Sequence, residues 1–365
     1  MKTVYSIDAG VLKRRLKKPY ELSFHTVEKI NSLWISVKYS DGSGGFGEAV
    51  PLPGYGSETV ESILDFFRKT VPGLVGLSQE EVMSELTRHR GGHNSFAVSA
   101  IATAIEFYQW IRKADTIARI PLVFPLRASK KKESLSMQVE EGIRLGYRHF
   151  KMKIGKDVDT DIFSAEYILN VYEGMDLLFR FDANQAYDFD RSAKFCKSIG
   201  AVNKKNVLWL EQPLKIDAWD DTRALCEIST VPIMLDECIY NEHDIERAKE
   251  VGCAAVKLKL CKHMGISHCV QLAKAARKLG LMVTLGNGVS SDIGNLCEGL
   301  AINEAPNLFV EGSECNGFIK LEDAIAFKQI NVSSGNLIWE KGGGVVIDEI
   351  LEKIKKESDI QFHEE

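Results

Sequence analysis

Two short runs place lysines where strands seldom carry them. In HFKMKIG (149–155), Lys151 and Lys153 are interleaved with Phe150, Met152 and Ile154, and in CAAVKLKL (253–260), Lys257 and Lys259 alternate with Val256 and Leu258. Side chains of a strand alternate between its faces, so each lysine pair shares one face and the apolar residues share the other. Between these runs, three apolar stretches end in acids. LLFRFDAN offers Asp182 with Asn184 on the same face, VLWLEQP offers Glu211, and VPIMLDE offers Asp236 followed by Glu237. Two like charges about 4 Å apart repel by roughly 4 kcal/mol at an effective dielectric of about 20, so three converging carboxylates need neutralising. A hard divalent cation does this, and oxygen-only ligands favour Mg2+; the alternative is that each acid pairs with a neighbouring Lys or Arg. A lysine ammonium is costly to bury and loses its proton readily when desolvated or near other cations. Lys153 and Lys259 are therefore candidates for a general base and a general acid. Lys151 either lowers the pKa of Lys153 and attracts a substrate carboxylate, or forms a salt bridge with one of the acids.

The elements that must position these residues follow from their spacing. One polar residue near each apolar run falls at 153, 182, 211, 236, 259, 287 and 311, in steps of 23 to 29 residues. Helical segments lie between, such as DIFSAEYILNVYEG and GISHCVQLAKAARKLG, and several end in glycine as helix C-termini do. Near-regular alternation of strand and helix predicts a parallel barrel, whose active site lies at the C-terminal ends of its strands. PLVFPLRA (121–128) would be the first strand and NLFVEGSE (307–314) the eighth. Lys153 and Lys259 then stand on the second and sixth strands, on opposite sides of the ring. Two such groups on opposite faces of one carbon can remove a proton and return it with inversion.

Residues 1–122 differ in style. LWISVKYSDGSGGFGEAV reads as a hairpin about its DGSGG turn. SETVESILDFFRKTV and QEEVMSELTRH read as amphipathic helices, the first capped from Ser57, and SFAVSAIATAIEFYQWIRKA as a buried one. This predicts an α+β domain over 1–122, completed by about 325–365, beside a barrel domain over 123–324. The terminal QFHEE is expected to fray. With 365 residues, a net charge of −5 and a pI near 6.0, the chain lacks the footprint of a nucleic-acid binder. No run reaches transmembrane length and the N-terminus lacks a signal-peptide core, so a cytoplasmic protein is expected. KRRLKK (13–18) reads as a solvated face. Eight cysteines without a CxxC pair suggest reduced thiols, and CKHMGISHC (261–269) has no zinc-site spacing.

FKMKIG, FDANQAY, LEQP, MLDE and VKLKLCKHMG, in this order, resemble the enolase superfamily and within it the muconate-lactonizing subgroup (the mandelate racemase/muconate lactonizing enzyme family); GFGEAVPLPGYG extends the likeness to the N-terminal part. The resemblance implies an α/β fold, a modified (β/α)8-type (β7α) barrel under an α+β capping domain that helps choose the substrate. It implies Asp182, Glu211 and Asp236 as Mg2+ ligands, and Lys153 and Lys259 as the acid–base pair. Lys151, Asn184, Glu237, Tyr55 and Asn287 become candidate substrate contacts, with Glu311 or Glu314 standing in for the Asp-x-Asp that dipeptide epimerases carry at the eighth strand. The implied activity is removal of the proton α to the carboxylate of a small-molecule substrate, through an enolate. Racemisation or epimerisation of an amino-acid derivative or dipeptide is the first reading, and cycloisomerisation or syn-dehydration the alternative. A homo-oligomer is expected. The chain departs from the subgroup at Lys257, where Asn is usual, at Met264-Gly265 in place of Gly-Gly, and in FVEGSECNGF and TLGNGVSSDIG, which lack the usual acidic patterns. Two other classes were open on the residues alone. A lysine Schiff-base barrel leaves the three acids unexplained, and a non-catalytic binding protein would account for the departures.

Overall fold

The protein is described by a computed structural model covering residues 2–21, 26–51, 56–90, 93–113, 119–202, 204–286, 288–322, 325, 330–339 and 347–365. It opens with long antiparallel strands β1 (Val4–Glu21) and β2 (Thr26–Tyr39), and β2 turns through DGSGG into β3 (Gly44–Ala49), the expected hairpin. Gly42 takes the positive φ (81°) that this turn demands. Helices α1 (Val60–Thr70), α2 (Gln79–Thr87) and α3 (Ser95–Lys113) follow. Their apolar faces form one core with the sheet, including Ile35, Val37, Phe67, Ile101 and Ile105. Thr59, not Ser57, caps α1: its hydroxyl accepts from the Ser62 N–H, and the Ser62 hydroxyl bonds back to the Thr59 N–H. The reciprocal bonds a capping box needs are thus set two residues later than the sequence suggested. α3 lies almost in contact with β3, because the strand presents glycine there. A Cβ on Gly45 would stand 2.4 Å from the Ala104 carbonyl oxygen, and one on Gly47 would stand 2.0 Å from that of Ala100.

After β4 (Arg119–Pro121) comes the barrel. Its strands are β5 (Val123–Arg127), β6 (His149–Lys153), β7 (Leu178–Asp182), β8 (Val207–Glu211), β9 (Ile233–Leu235), β10 (Ala255–Lys259) and β11 (Met282–Gly286). They form one seven-stranded parallel sheet in chain order. Helices α4 (Lys132–Arg144), α5 (Val158–Val171), α6 (Phe189–Ala201), α7 (Trp219–Ile228), α8 (Glu242–Glu250), α9 (Gly265–Lys278) and α10 (Asp292–Glu304) alternate with them. The outward residues Phe150, Met152, Phe179, Phe181, Leu210, Val256 and Leu258 pack on those helices in the largest core cluster. Trp209, Met234 and Ala255 fill the inside of the barrel.

The eighth position is not a strand. NLFVEGSE forms a 3-10 turn over Pro306–Leu308 and then an extended segment. It still closes the ring: the Val310 N–H donates to the Val283 carbonyl at 2.7 Å, and Ser313 exchanges bonds with Pro121 and Val123 at 2.8 and 2.9 Å. Gly312, at φ +87°, interrupts any ladder there, and a Cβ on it would meet Arg180 Nη2 at 2.7 Å. A short α11 (Gly317–Lys320) follows. β12 (Ile330–Ser333) and β13 (Asn336–Trp339) form a small sheet with β4. α12 (Ile347–Glu357) and β14 (Ile360–Glu364) end the described chain. β14 contains the QFHEE residues expected to fray and instead pairs antiparallel with β1, from Ile7↔Glu364 to Val11↔Ile360. Its backbone donors and acceptors complete a sheet edge, which outweighs the entropy of a free end. The eight cysteines are free thiols, and no described helix is long and apolar enough to cross a membrane.

Two outcomes test this packing. Gly47→Ala should lower stability by about 1–3 kcal/mol in chemical denaturation, because helix and strand must part to admit the methyl group. Burial pushes the Glu298 carboxyl on α10 up to about 8, with Asn295 Nδ2 donating to it at 2.7 Å. The folded protein then keeps a proton that the unfolded chain releases above the ordinary glutamate range, so stability falls as pH rises toward that value. Glu298→Gln should gain on the wild type steadily between pH 5 and 8.5 (roughly the window between the two pKa values), read from denaturation midpoints.

Candidate active site

Strand register brings the charged residues level. Arg127 pairs with Lys153, Lys153 with Asp182, and Asp182 with Glu211 across β5, β6, β7 and β8. Asp236 and Glu237 directly follow β9, and Lys257 and Lys259 end β10. Because the side chains at i and i+2 share a face, Arg180 enters the barrel below Asp182, and Lys151 below Lys153.

Four carboxylates and four ammonium groups interlock here. Lys151 Nζ reaches Asp182 Oδ2 at 2.8 Å, Glu211 Oε1 at 2.9 Å and Glu314 Oε1 at 2.8 Å. Lys257 Nζ reaches Glu211 Oε1 at 2.9 Å and Glu314 Oε1 at 2.5 Å. Lys153 Nζ pairs closely with Asp182 and donates to Asn184 Oδ1 at 2.7 Å, and Asn184 Nδ2 donates to Glu237 at 3.0 Å. Lys259 Nζ stands 2.7 Å from Asp236 Oδ2. Asn184 takes a positive φ of 42° in the turn that follows β7.

The mixture divides the acids. Burial alone would raise the pKa of Asp182, but Lys151, Lys153 and Lys257 hold it well below the usual range. Asp236, buried but facing Lys259, Lys257 and Lys262, falls to about 2. Glu314 also lies well below, against its burial, through Lys151 and Lys257. Glu211 goes the other way, to about 7, because burial and the Asp182 charge outweigh its lysines. Burial, with Asp236 beside it, raises Glu237. Lys151 is buried, yet Asp182, Glu211 and Glu314 raise its pKa well above the ordinary lysine value. The salt-bridge alternative for Lys151 therefore describes its contacts.

A cavity of about 620 Å3 opens to one side of these groups, along β5 and β6, bordered by Lys151, Lys153, Glu314, Asn316, Arg127 and, from β1, Lys18, while Asp182, Glu211, Asp236, Lys257 and Lys259 do not line it. Glu311 does not join them. It is 74% exposed, 3.6 Å from His149 at the start of β6, because Gly312 turns the closing segment between it and Glu314. Tyr55 and Asn287 lie outside the described residues. Ser291 caps α10, and its N–H donates to the buried Glu48 at 3.0 Å. Three residues escaped the sequence reading. Arg180 donates to the Gly312 and Glu311 carbonyls and stands 4.6 Å over the Trp209 ring, so it ties the eighth segment to the barrel interior. Lys262 donates to the Asp236 carbonyl at 2.8 Å. Glu48 reaches from the N-terminal sheet to the start of α10. The position of Arg180, two before Asp182, was a usable signal.

The donor set suits a hard cation. Glu211 Oε2 and Asp236 Oδ1 are buried without a hydrogen-bond partner, and all three acids offer only oxygen. The lysines contend for the same oxygens, and among the described residues no three acidic, cysteine or histidine side chains are gathered as a ready metal cage.

Residues 134–350 match the family described as Enolase C-terminal domain-like, and residues 6–110 match the Mandelate racemase / muconate lactonizing enzyme N-terminal domain. An L-amino acid-D/L-Glu epimerase from Francisella philomiragia is 25% identical over 313 residues, 81% of this chain and 86% of that protein. An o-succinylbenzoate synthase from Geobacillus stearothermophilus is 25% identical over 358 residues, 92% of this chain and 91% of that protein. The crystal structure of N-succinyl Arg/Lys racemase from Bacillus cereus shares the fold, with a TM-score of 0.83 at 20% identity over 100% of both chains. Since the two family matches together span most of the sequence, the chain belongs to the enolase superfamily, in the muconate-lactonizing subgroup of isomerases and lyases.

Proposed function

We propose that the protein removes the proton α to a carboxylate of a small-molecule substrate, with Lys153 and Lys259 as the acid–base pair. The observation that carries this reading is their opposed placement. β6 and β10 are separated by three strands, and each lysine rests on a different acid, Asp182 for one and Asp236 for the other. Asp182, Glu211 and Asp236 would hold Mg2+. When bound, that ion supplies an electrophile for the charge that develops on the substrate carboxylate, without which so weak an acid would not ionise.

The chain's own groups do the remainder. Lys153 is aimed by the Asn184 amide, itself anchored on Glu237, so its ammonium cannot swing freely. Lys259 stands on the strand across the barrel, against Asp236, and in this reading approaches the substrate from the other side. One lysine takes the proton from one face of the α-carbon and the other returns one to the opposite face, which inverts the centre. The cavity beside Lys153, closed on one side by Lys18 from β1, gives the N-terminal domain a part in selecting the substrate. In this reading residues 1–122 with 325–365 form the cap and 123–324 the barrel, in a cytoplasmic homo-oligomer. A racemase or epimerase of an amino-acid derivative or dipeptide is the preferred activity. The absence of Asp-x-Asp from the eighth segment, together with the likeness to an o-succinylbenzoate synthase over 92% of the chain, supports cycloisomerisation or syn-dehydration as the second reading.

Exchange of the α-proton in D2O, read by mass over dipeptides, N-acyl amino acids and hydroxy or cyclic acids with Mg2+, tests the assignment. Epimerisation gives both stereoisomers, and elimination gives a new absorbing double bond. Lys153→Ala and Lys259→Ala should each slow exchange by about 10^2–10^4-fold with the circular dichroism unchanged. Exchange at the wild-type rate in either variant would remove that lysine from the chemistry.

A further inference from the structure

Lys257 is the residue that the acid–base and metal assignments leave without a role. Its side chain is only 1% exposed, so its ammonium has no recourse to water. Lying two residues before Lys259 on the same face of β10, it cannot turn outward without turning Lys259 out as well. Room for it is built into the neighbouring strand, since a Cβ on Gly286 would stand 1.9 Å from Lys257 Cε.

The contacts of Lys257 form a closed square of charge. Lys151 and Lys257 both donate to Glu211 Oε1, each at 2.9 Å, and both donate to Glu314 Oε1, at 2.8 and 2.5 Å. Asp236 Oδ2 lies 3.8 Å away on the far side. Glu211 is thus shared between two ammonium groups at one oxygen, while its other oxygen, buried, has no hydrogen-bond partner. Glu314 comes from the closing segment rather than a strand, borders the cavity, and has 12% of its side chain exposed.

We propose that Lys257 is an internal counter-cation that competes with a divalent metal ion for Glu211, and that Glu314 is the seat onto which it withdraws when the metal binds. This rests on the assignment of Asp182, Glu211 and Asp236 as metal ligands. A fixed positive charge within bonding distance of Glu211 repels a divalent cation twice as strongly as a monovalent one at the same separation. Loading therefore requires Lys257 to leave Glu211, and an anion must accept it. Glu314 is already within reach, so Lys257 and Glu314 act as a matched pair: one weakens metal binding and the other limits the loss. Without metal, the same ammonium shares with Lys151 the neutralisation of Glu211 and Glu314. Lys257 is in these terms a positioning residue, setting how tightly and at what cost the site is filled.

Titration calorimetry with MgCl2 on the full chain, alongside the Mg2+-dependent shift in melting temperature, reads this without any turnover. Lys257→Met should bind Mg2+ about tenfold or more tighter than wild type, equivalent to about 1.4 kcal/mol or more, and should melt lower when metal-free. Lys257→Arg, which keeps the charge, should stay near the wild-type affinity. Glu314→Gln should bind more weakly than wild type, because Lys257 is then left to Glu211. If Lys257→Met does not fold, the weakening in Glu314→Gln carries the test. Wild-type binding with no gain in Lys257→Met, or with a gain in Glu314→Gln, overturns the competition and leaves the metal ligands standing. Absence of Mg2+ binding in wild type and all variants overturns the metal assignment, and this proposal with it.

Discussion

The organisation of the barrel mouth follows from the cost of placing charge where water hardly reaches. A buried ammonium or carboxylate is tolerable only beside an opposite charge with good geometry, and removing one partner typically costs about 3–5 kcal/mol. Asp182, Glu211, Asp236 and Glu314 meet Lys151, Lys153, Lys257 and Lys259 on terms that leave each acid in contact with at least one lysine. Geometry elsewhere in the molecule can be understood as supporting that arrangement. The level register of β6, β7 and β8, the glycine at the end of β11 and the turned backbone at Asn184 all serve to bring charged tips within bonding distance.

The least regular part of the ring is also the part that supplies the fourth acid. A true eighth strand would send alternate residues to the two faces at fixed intervals. The closing segment instead bonds to its neighbours at a few points and is anchored from within by Arg180, whose guanidinium binds two of its carbonyls. Gly312 lets the backbone approach that guanidinium, and the turn it makes separates Glu311 at the outside from Glu314 at the site. An arginine inside a barrel thereby determines which of two nearby glutamates faces the lysines. The opposite end of the chain contributes as well: β1 carries Lys18 to the cavity, and the pairing of β14 with β1 braces that long strand.

Much of this is legible in the sequence. Alternation of polar and apolar residues in FKMK and VKLK marks lysines on one face, and the repeat of about 25 residues marks the parallel barrel. Legibility failed where local pattern and tertiary need diverge. NLFVEGSE has the composition of a strand, but Gly312 and the pull of Arg180 make it an extended tie. Ser57 has the chemistry of a cap, yet Thr59 has a partner at the right offset. QFHEE looks like a loose end only until β1 is known to have a vacant edge. Lys151 could be read as a substrate contact or as an ion pair, and Lys257 only as a departure from the subgroup, because strand alternation says which face a side chain takes and nothing about who meets it there.

Alternation and spacing by themselves determined which residues face inward and in what order the strands come, since both are properties of a chain with a period of two along each strand and a fixed handedness between strands. They also determined the inventory of acids and lysines that carries the resemblance to the family. Only the tertiary structure decided how that inventory is paired. Ion pairs depend on distances between residues far apart in the chain, 29 positions for Lys153 with Asp182 and 163 for Lys151 with Glu314. Coulomb energy changes steeply over the few ångströms that closure of the ring decides. The sharing of Glu211 and Glu314 between Lys151 and Lys257 is a consequence of that closure, and no local pattern contains it.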